Sequence, residues 1–279
     1  MIELPPIEQI KWQVEQALRE DLGAGDLTAG LIPEKAHSQV KVVCREPAVI
    51  SGAAWFNETF HQLDPSIHIH WHVQDGDTVM GDTVVCQLRG NTRALLSGER
   101  SALNYLQTLS GTATLVQRYV EVVEGTGVTI LDTRKTIPGL RYQQKYAVLC
   151  GGGVNHRIGL FDAVLIKENH IHAAGSIAAV MASVDAQIAE GIEVEIEVES
   201  LDELEQALAA GAKRILIDNF ATDDLRKAVE INAGRARLEA SGGISMTTIR
   251  AIAETGVDDI SIGGLTKDLQ SVDLSMRFI

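Results

Sequence analysis

VEIEVESLDELEQALAAGAKRILID, residues 194–218, holds one strand, one helix and a second strand in 25 residues. VEIEV and RILID are short β-branched runs, and the helical stretch between them is closed by Gly211. The same alternation continues outward from this unit. VTIL (128–131) and DAVLI (162–166) precede it, while ARLEA (236–240) and DISIG (259–263) follow, with helical stretches such as TTIRAIAETG between strands. Strands that alternate with helices and are apolar enough to be buried predict a parallel sheet, wound into a barrel or a doubly wound layer. Six such strands are too few for a closed eightfold barrel.

The first half of the chain has a different texture. Ile7, Ile10, Val14, Ala17 and Leu18 have helical spacing, and EDLGAGDLT (20–28) breaks that period with two glycines. From Val40 to Leu88 the pattern has period two. VKVV, IHIHWHV and TVVCQL are separated by turn residues, as an antiparallel sheet needs. Residues 92–123 return to helical spacing, with Leu95, Leu96, Leu103, Leu106 and Leu109 opposite Ser97, Arg100, Asn104 and Gln107.

The formal net charge of −14 argues against a nucleic-acid partner, because phosphate backbones need a basic surface. No run of about 18 apolar residues marks a membrane span, and MIELPPIEQIKW lacks the regions of a signal peptide. Cys44, Cys86 and Cys150 are far apart without a CxxC pair, as expected of reduced thiols in a cytoplasmic protein.

Against this acidic background, DTRKT (132–136), GGGVNHR (151–157) and LIKENH (165–170) gather Arg134, Lys135, His156, Arg157 and Lys167 where apolar strands run out. Polar strand ends arise wherever strands meet loops. That accounts for one or two of them, but not for DTRK, KEN, EVES, DN, EASGG and IGG on six strands in succession. In a parallel barrel the reacting groups sit at the carboxyl ends of the strands. SGG (Ser241, Gly242, Gly243) and IGG (Ile262, Gly263, Gly264) fit a phosphate cradle after the last two strands, although Gly-Gly also serves ordinary tight turns. IEVEIEVES places Glu193, Glu195, Glu197 and Glu199 on one strand face. Carboxylates are unexpected there in a central parallel strand, so they either lie at a barrel edge or work near the mouth. Glu193 reads as merely solvated. His68, His70 and His72 form a conceivable metal patch that reads better as a solvated face, and QDGDTVMGDTV (74–85) reads as a hairpin scaffold.

Taken together, DTRKTIPGLRYQQKYAVLCGGGVNHRIGLFDAVLIKENH (132–170) resembles the quinolinate phosphoribosyltransferases, also called carboxylating nicotinate-nucleotide pyrophosphorylases. With flanking motifs the resemblance covers nearly the whole chain. It implies an N-terminal α/β sandwich domain (1–111) followed by an open, incomplete parallel α/β barrel (112–279). It implies transfer of phosphoribosyl from phosphoribosyl pyrophosphate to quinolinate, with loss of CO2, to give nicotinate mononucleotide for NAD biosynthesis. On this pattern Arg134, His156 and Arg157 hold the quinolinate carboxylates, with Thr133 in the same loop. Lys135 and Lys167 serve the pyrophosphate and the reacting centre. Glu197 and Asp218 hold the ribose, with Mg2+ arriving on the donor and reaching these acids through water or phosphate. Arg100 enters the barrel mouth of a neighbouring subunit, which requires a homodimer, alone or within a hexamer. Nicotinate phosphoribosyltransferase and a paralogue found beside molybdate transporters are the nearest rivals, but neither needs a second carboxylate clamp. A phosphate-binding lyase or isomerase would leave several of the five cations without a task, and a non-catalytic sensor of an anionic metabolite is separated from the enzyme by single-turnover CO2 release from quinolinate plus donor.

Overall fold

The computed structural model describes residues 2–279. Helix α1 (Ile7–Leu22) begins directly after Pro5 and Pro6. Ile10, Val14 and Leu18 recur every fourth residue and are buried, whereas Ile7 in the first turn stays exposed. There follow β1 (His37–Cys44), β2 (Ala48–Val49), α2 (Ala53–Leu63), β3 (His68–Trp71), β4 (Thr78–Val79), β5 (Thr83–Asn91) and the 31-residue α3 (Thr92–Val122). β5 pairs antiparallel with β1 on one side and β3 on the other, and β2 pairs with β4. The period-two pattern turns Val40, Val42 and Leu88 into one core, where Phe56 and Phe60 of α2 and Leu95, Leu103 and Leu106 of α3 cover them. A sheet faced by helices is the α/β sandwich that the resemblance implies.

The chain then alternates: β6 (Thr129–Leu131), α4 (Arg141–Cys150), β7 (Ala163–Ile166), α5 (Glu168–Ala174), α6 (Ile177–Gln187), β8 (Glu193–Val198), α7 (Leu201–Ala209), β9 (Arg214–Asp218), α8 (Thr222–Asn232), β10 (Arg237–Ser241), α9 (Ile249–Ala253), β11 (Asp259–Ser261), α10 (Gly264–Lys267) and β12 (Leu274–Phe278). β6 to β11 form one parallel sheet in the order β6-β11-β10-β9-β8-β7. β6 and β7 end that order without pairing, as an open barrel requires. The last strand does something the strand pattern did not announce. β12 pairs antiparallel with β1, so the first sheet reads β12-β1-β5-β3. Leu274 is thereby buried in the first core.

Two compact units result. One comprises the chain through Gln117 with Pro138–Gly152 and Asp268–Ile279; the other comprises Arg118–Ile137 and Gly153–Lys267. Residue 111, where the sequence placed the boundary, lies inside α3. Removing residues 274–279 should therefore destabilise the first unit rather than the barrel. Loss of the buried Leu274 and of the β1 ladder costs about 3 kcal/mol or more. Hydrogen exchange should show β1 and β5 losing protection while β8–β10 keep theirs; equal loss in both would contradict this.

Candidate active site

Because β6–β11 run parallel, their carboxyl ends share one rim. Arg134 and Lys135 follow β6, Lys167 follows β7, and Glu197 lies at the end of β8. Asp218 ends β9 and Ser241 ends β10, paired in register with each other, and Ile262–Gly264 follow β11. The GGGVNHR loop joins them by running beside β6. Val154 bridges to Leu131, its N–H donates to the Ile130 carbonyl at 2.9 Å, and the buried Asp132 carboxylate accepts the His156 N–H at 2.9 Å. The six segments are thus brought to one rim by backbone pairing.

The DTRKT turn is tightened by Thr133, whose Oγ1 accepts the Lys135 N–H at 3.0 Å, and Thr266 Oγ1 donates to the Lys135 carbonyl at 2.8 Å. Lys167 caps α5, where its N–H donates to His170 Nδ1 at 2.9 Å, and its Nζ forms an ion pair with Glu197. Burial holds the Arg157 guanidinium below the usual arginine range, and the neighbouring Arg134 cation adds to that. Glu195, Asp162 and Glu197 oppose that shift, and a partly buried guanidinium beside a second cation suits an anion. Asp218 accepts from Asn219 Nδ2 at 2.6 Å, and Ser261 Oγ donates to Ser241 Oγ at 3.1 Å. Gly242 is required by space and by its backbone: its φ is 94°, and a Cβ there would lie 2.1 Å from Asn219 Oδ1 and 2.9 Å from the Asn219 backbone nitrogen, whereas one on Gly263 would only press the flexible Lys135 side chain, 2.7 Å from Cδ.

Glu197, Glu199 and Asp218 bring carboxylate oxygens within 4.8 Å of one another. Glu199 is pushed above the usual range by burial and then by Glu168, Glu203, Asp218 and Glu197. Such a group suits a hydrated divalent cation, held through its waters. Among the described residues, His68, His70 and His72 do not form a group of converging ligand atoms; the His70 and His72 rings meet edge to face at 4.8 Å. The QDGD turn anchors structure, with Asp75 accepting the Tyr146 hydroxyl at 2.8 Å. Arg100 is exposed on α3, in the first compact unit rather than the unit that carries the rim. A cavity of about 500 Å³ in that first unit, lined by Trp12, Glu20, Asp21 and Tyr105, is acidic where it is charged and does not suit an anion.

Beneath the rim lies a charged layer that the strand pattern only half disclosed. Glu195, two residues below Glu197 on the same face, is buried and accepts from His156 Nε2 at 2.8 Å. Glu239 of β10 is 3.5 Å from the same nitrogen. Arg214 lies between Glu195 (3.7 Å), Glu239 (3.3 Å), Asp259 (3.3 Å) and the exposed Glu193 (3.3 Å), and Arg237 forks onto Asp259 at 2.5 Å. Glu193, expected to be merely solvated, therefore has a partner. Burial alone would lower Arg214, but these four carboxylates hold it above the usual arginine range. Burial pushes Glu239 up to about 8, Glu195 adds to this, and His156, Ser261 and Arg214 oppose it. The signals for this layer were the alternate carboxylates of VEIEV and the lone acids of ARLEA and DISIG.

A carboxyl raised from 4.5 to about 8 on folding binds a proton that the unfolded chain releases. Its contribution is complete below about 4.5 and is lost as pH rises through about 8. Thermal unfolding followed over that window should show this decline, and Glu239→Gln should flatten it; an unchanged slope would refute the assignment.

Residues 26–110 match the family model for the quinolinate phosphoribosyl transferase N-terminal domain, and residues 112–277 match that for the C-terminal domain. A probable nicotinate-nucleotide pyrophosphorylase [carboxylating] of Bacillus subtilis (strain 168) is 40% identical, covering 96% of this chain and 93% of the relative. A mitochondrial quinolinate phosphoribosyltransferase [decarboxylating] of Nicotiana glauca is 36% identical over 98% of this chain and 83% of its own length. Among solved structures, the nicotinate-nucleotide pyrophosphorylase from Francisella tularensis is 44% identical with a TM-score of 0.97, covering 100% of this chain and 99% of that one. Among the described residues, no helix is long and apolar enough to cross a membrane.

Proposed function

The chain belongs to the quinolinate phosphoribosyltransferase family, and from that membership we propose how its own residues carry the reaction. The enzyme transfers phosphoribosyl from phosphoribosyl pyrophosphate to quinolinate with loss of CO2, giving nicotinate mononucleotide for NAD biosynthesis. The observation that supports this role for the rim is the crowding of Arg134 against Arg157. A dicarboxylate relieves that repulsion, and the planar guanidinium fork suits it. His156 completes the quinolinate side, with Thr133 shaping the loop. Lys135, Lys167 and the N–H groups around Ser241, Gly242, Gly243, Ile262, Gly263 and Gly264 take the phosphates.

The pyridine nitrogen attacks ribose C1 as pyrophosphate leaves, through an oxocarbenium-like transition state. Glu197 and Asp218 hold the ribose and offset its developing positive charge, while Lys135 and Lys167 offset the departing negative charge. The Lys167–Glu197 pair in the structure fits both tasks, since each group is released to its ligand when the substrates enter. Glu197, Glu199 and Asp218 are the residues that would hold a divalent cation arriving with the donor, and the chemistry it would supply there is neutralisation of pyrophosphate. Alkylation makes the ring a pyridinium, which stabilises the carbanion left by the adjacent carboxylate. Decarboxylation therefore follows transfer, and CO2 release from quinolinate alone at a comparable rate would contradict that order. The net charge of −14 repels both substrates at long range, so the local field of the cations must capture them.

Arg134→Ala should weaken quinolinate binding about 10- to 100-fold, the value of a charged, bidentate contact. Unaltered quinolinate affinity in this variant would remove the clamp. Arg100 we assign to the site of a neighbouring copy, making the working unit a homodimer, alone or within a hexamer. Mixing Arg100→Ala with Lys135→Ala protein should restore activity through hybrid dimers that keep one intact site; no recovery after subunit exchange would exclude a shared site. We place the enzyme in the cytoplasm, where its three free cysteines stay reduced.

A further inference from the structure

His156 is held at both ring nitrogens and at its backbone. Its N–H donates to the Asp132 carboxylate at 2.9 Å, and its Nδ1 accepts the Arg157 N–H at 2.7 Å. A backbone N–H is always a donor, so Nδ1 carries no proton and the ring proton sits on Nε2. Nε2–H donates to Glu195 Oε2 at 2.8 Å, with Glu239 Oε2 farther off at 3.5 Å. Neither ring nitrogen has a hydrogen left for a carboxylate bound at the rim. Glu195 is held from its other side as well. Its Oε1 lies 3.7 Å from Arg214 Nε, and that guanidinium is anchored on Glu239 and Asp259 at 3.3 Å each. With 2% relative exposure, Glu195 has no water to exchange for its two partners. Arg157 thus starts from a fixed backbone, and its Nη1 donates to the Ala163 carbonyl of β7 at 3.4 Å.

We propose that Glu195 is a positioning residue of the quinolinate clamp. It keeps the His156 proton on Nε2, so that Nδ1 accepts the Arg157 N–H and sets the backbone from which the Arg157 guanidinium reaches the rim. The inference rests on the placement of quinolinate against Arg134 and Arg157 given above. His156 serves that side of the site through Arg157, not by a ring N–H of its own. An imidazole that loses Glu195 distributes its proton over both nitrogens. Where the proton sits on Nδ1, two N–H groups meet at the position of the present 2.7 Å hydrogen bond, and the Arg157 backbone must turn away. A doubly protonated ring has the same fault, because both of its nitrogens are donors. Of the five basic residues gathered at the strand ends, His156 is therefore the one that works uncharged. The surroundings permit this, since Arg214 offsets Glu195 and Glu239, pushed up to about 8 by burial, holds its own proton at neutral pH.

The test reads the tautomer and the clamp separately. In native enzyme carrying nitrogen-isotope-labelled histidine, nuclear magnetic resonance at neutral pH should show His156 Nδ1 unprotonated and Nε2 protonated. Protons on both nitrogens, or on Nδ1 alone, overturn the proposal, and this arm depends on no variant folding. Glu195→Leu should raise the quinolinate Kd about tenfold, the scale of a carboxylate hydrogen bond, and let Nδ1–H appear. The KM for phosphoribosyl pyrophosphate at saturating quinolinate should not follow. A folded Glu195→Leu protein with native quinolinate affinity, or with the donor KM rising in step, overturns the proposal. Two replacements of His156 give a contrast that loss of packing would not produce. Asn sets an amide oxygen where Nδ1 stood and can accept the Arg157 N–H, whereas Gln sets its amide where Nε2 stood and cannot. His156→Asn should bind quinolinate about tenfold more tightly than His156→Gln; equal affinities or the reverse order also overturn it. Failure of the native enzyme to bind quinolinate at all would instead strike the transferase reading, on which this one depends.

Discussion

Six parallel strands share one direction, and nearly every chemical property of this protein follows from that constraint. A parallel strand brings its carboxyl end to the same edge as its neighbours, so residues scattered from 133 to 264 become one rim without needing to be near in sequence. Register then sorts the rim from what lies below it. Glu197 and Glu195 are two residues apart on one face of β8, and that spacing separates an acid that pairs with Lys167 from one that is buried against His156.

In the second unit, charge organises the rim and the layer beneath it. The rim crowds cations, the layer beneath crowds acids, and the segment that joins them is His156–Arg157. The loop that carries Arg157 is fixed to β6, whose end leads into Arg134, so backbone pairing brings the two segments together. Arg214 performs the opposite service beneath it, tying four carboxylates from three strands into a single ionic group. A buried charge layer of this kind adds little net stability, since desolvation offsets attraction. What it fixes is the orientation of the imidazole, through Glu195 and Glu239.

The first unit has a conventional basis for its stability. Phe56, Phe60, Leu95, Leu103 and Leu106 cover one face of an antiparallel sheet whose alternation is regular enough to dictate which residues point inward. β12 seals the β1 edge of that sheet, which would otherwise present unpaired backbone groups. The C-terminal segment thus belongs to the architecture of the first half although it follows the barrel in sequence.

The sequence by itself determined the elements and their class. Period two in 40–88, helical spacing in 92–123 and strand–helix alternation after Gly127 are local patterns, and backbone geometry converts each into one kind of element. It also marked the rim, because Gly-Gly pairs and basic residues at strand ends are visible without knowing which strands are neighbours. The tertiary structure decided what depends on neighbours. The order β6-β11-β10-β9-β8-β7 places Arg214 among acids from β8, β10 and β11, and no spacing along the chain encodes that encounter. The pairing of β12 with β1 joins residues 230 or more apart, and the depth of Glu195 and Glu239 depends on which side of the sheet curls inward. Local propensity acts over a few residues, whereas burial and pairing are properties of the closed surface that the whole chain makes.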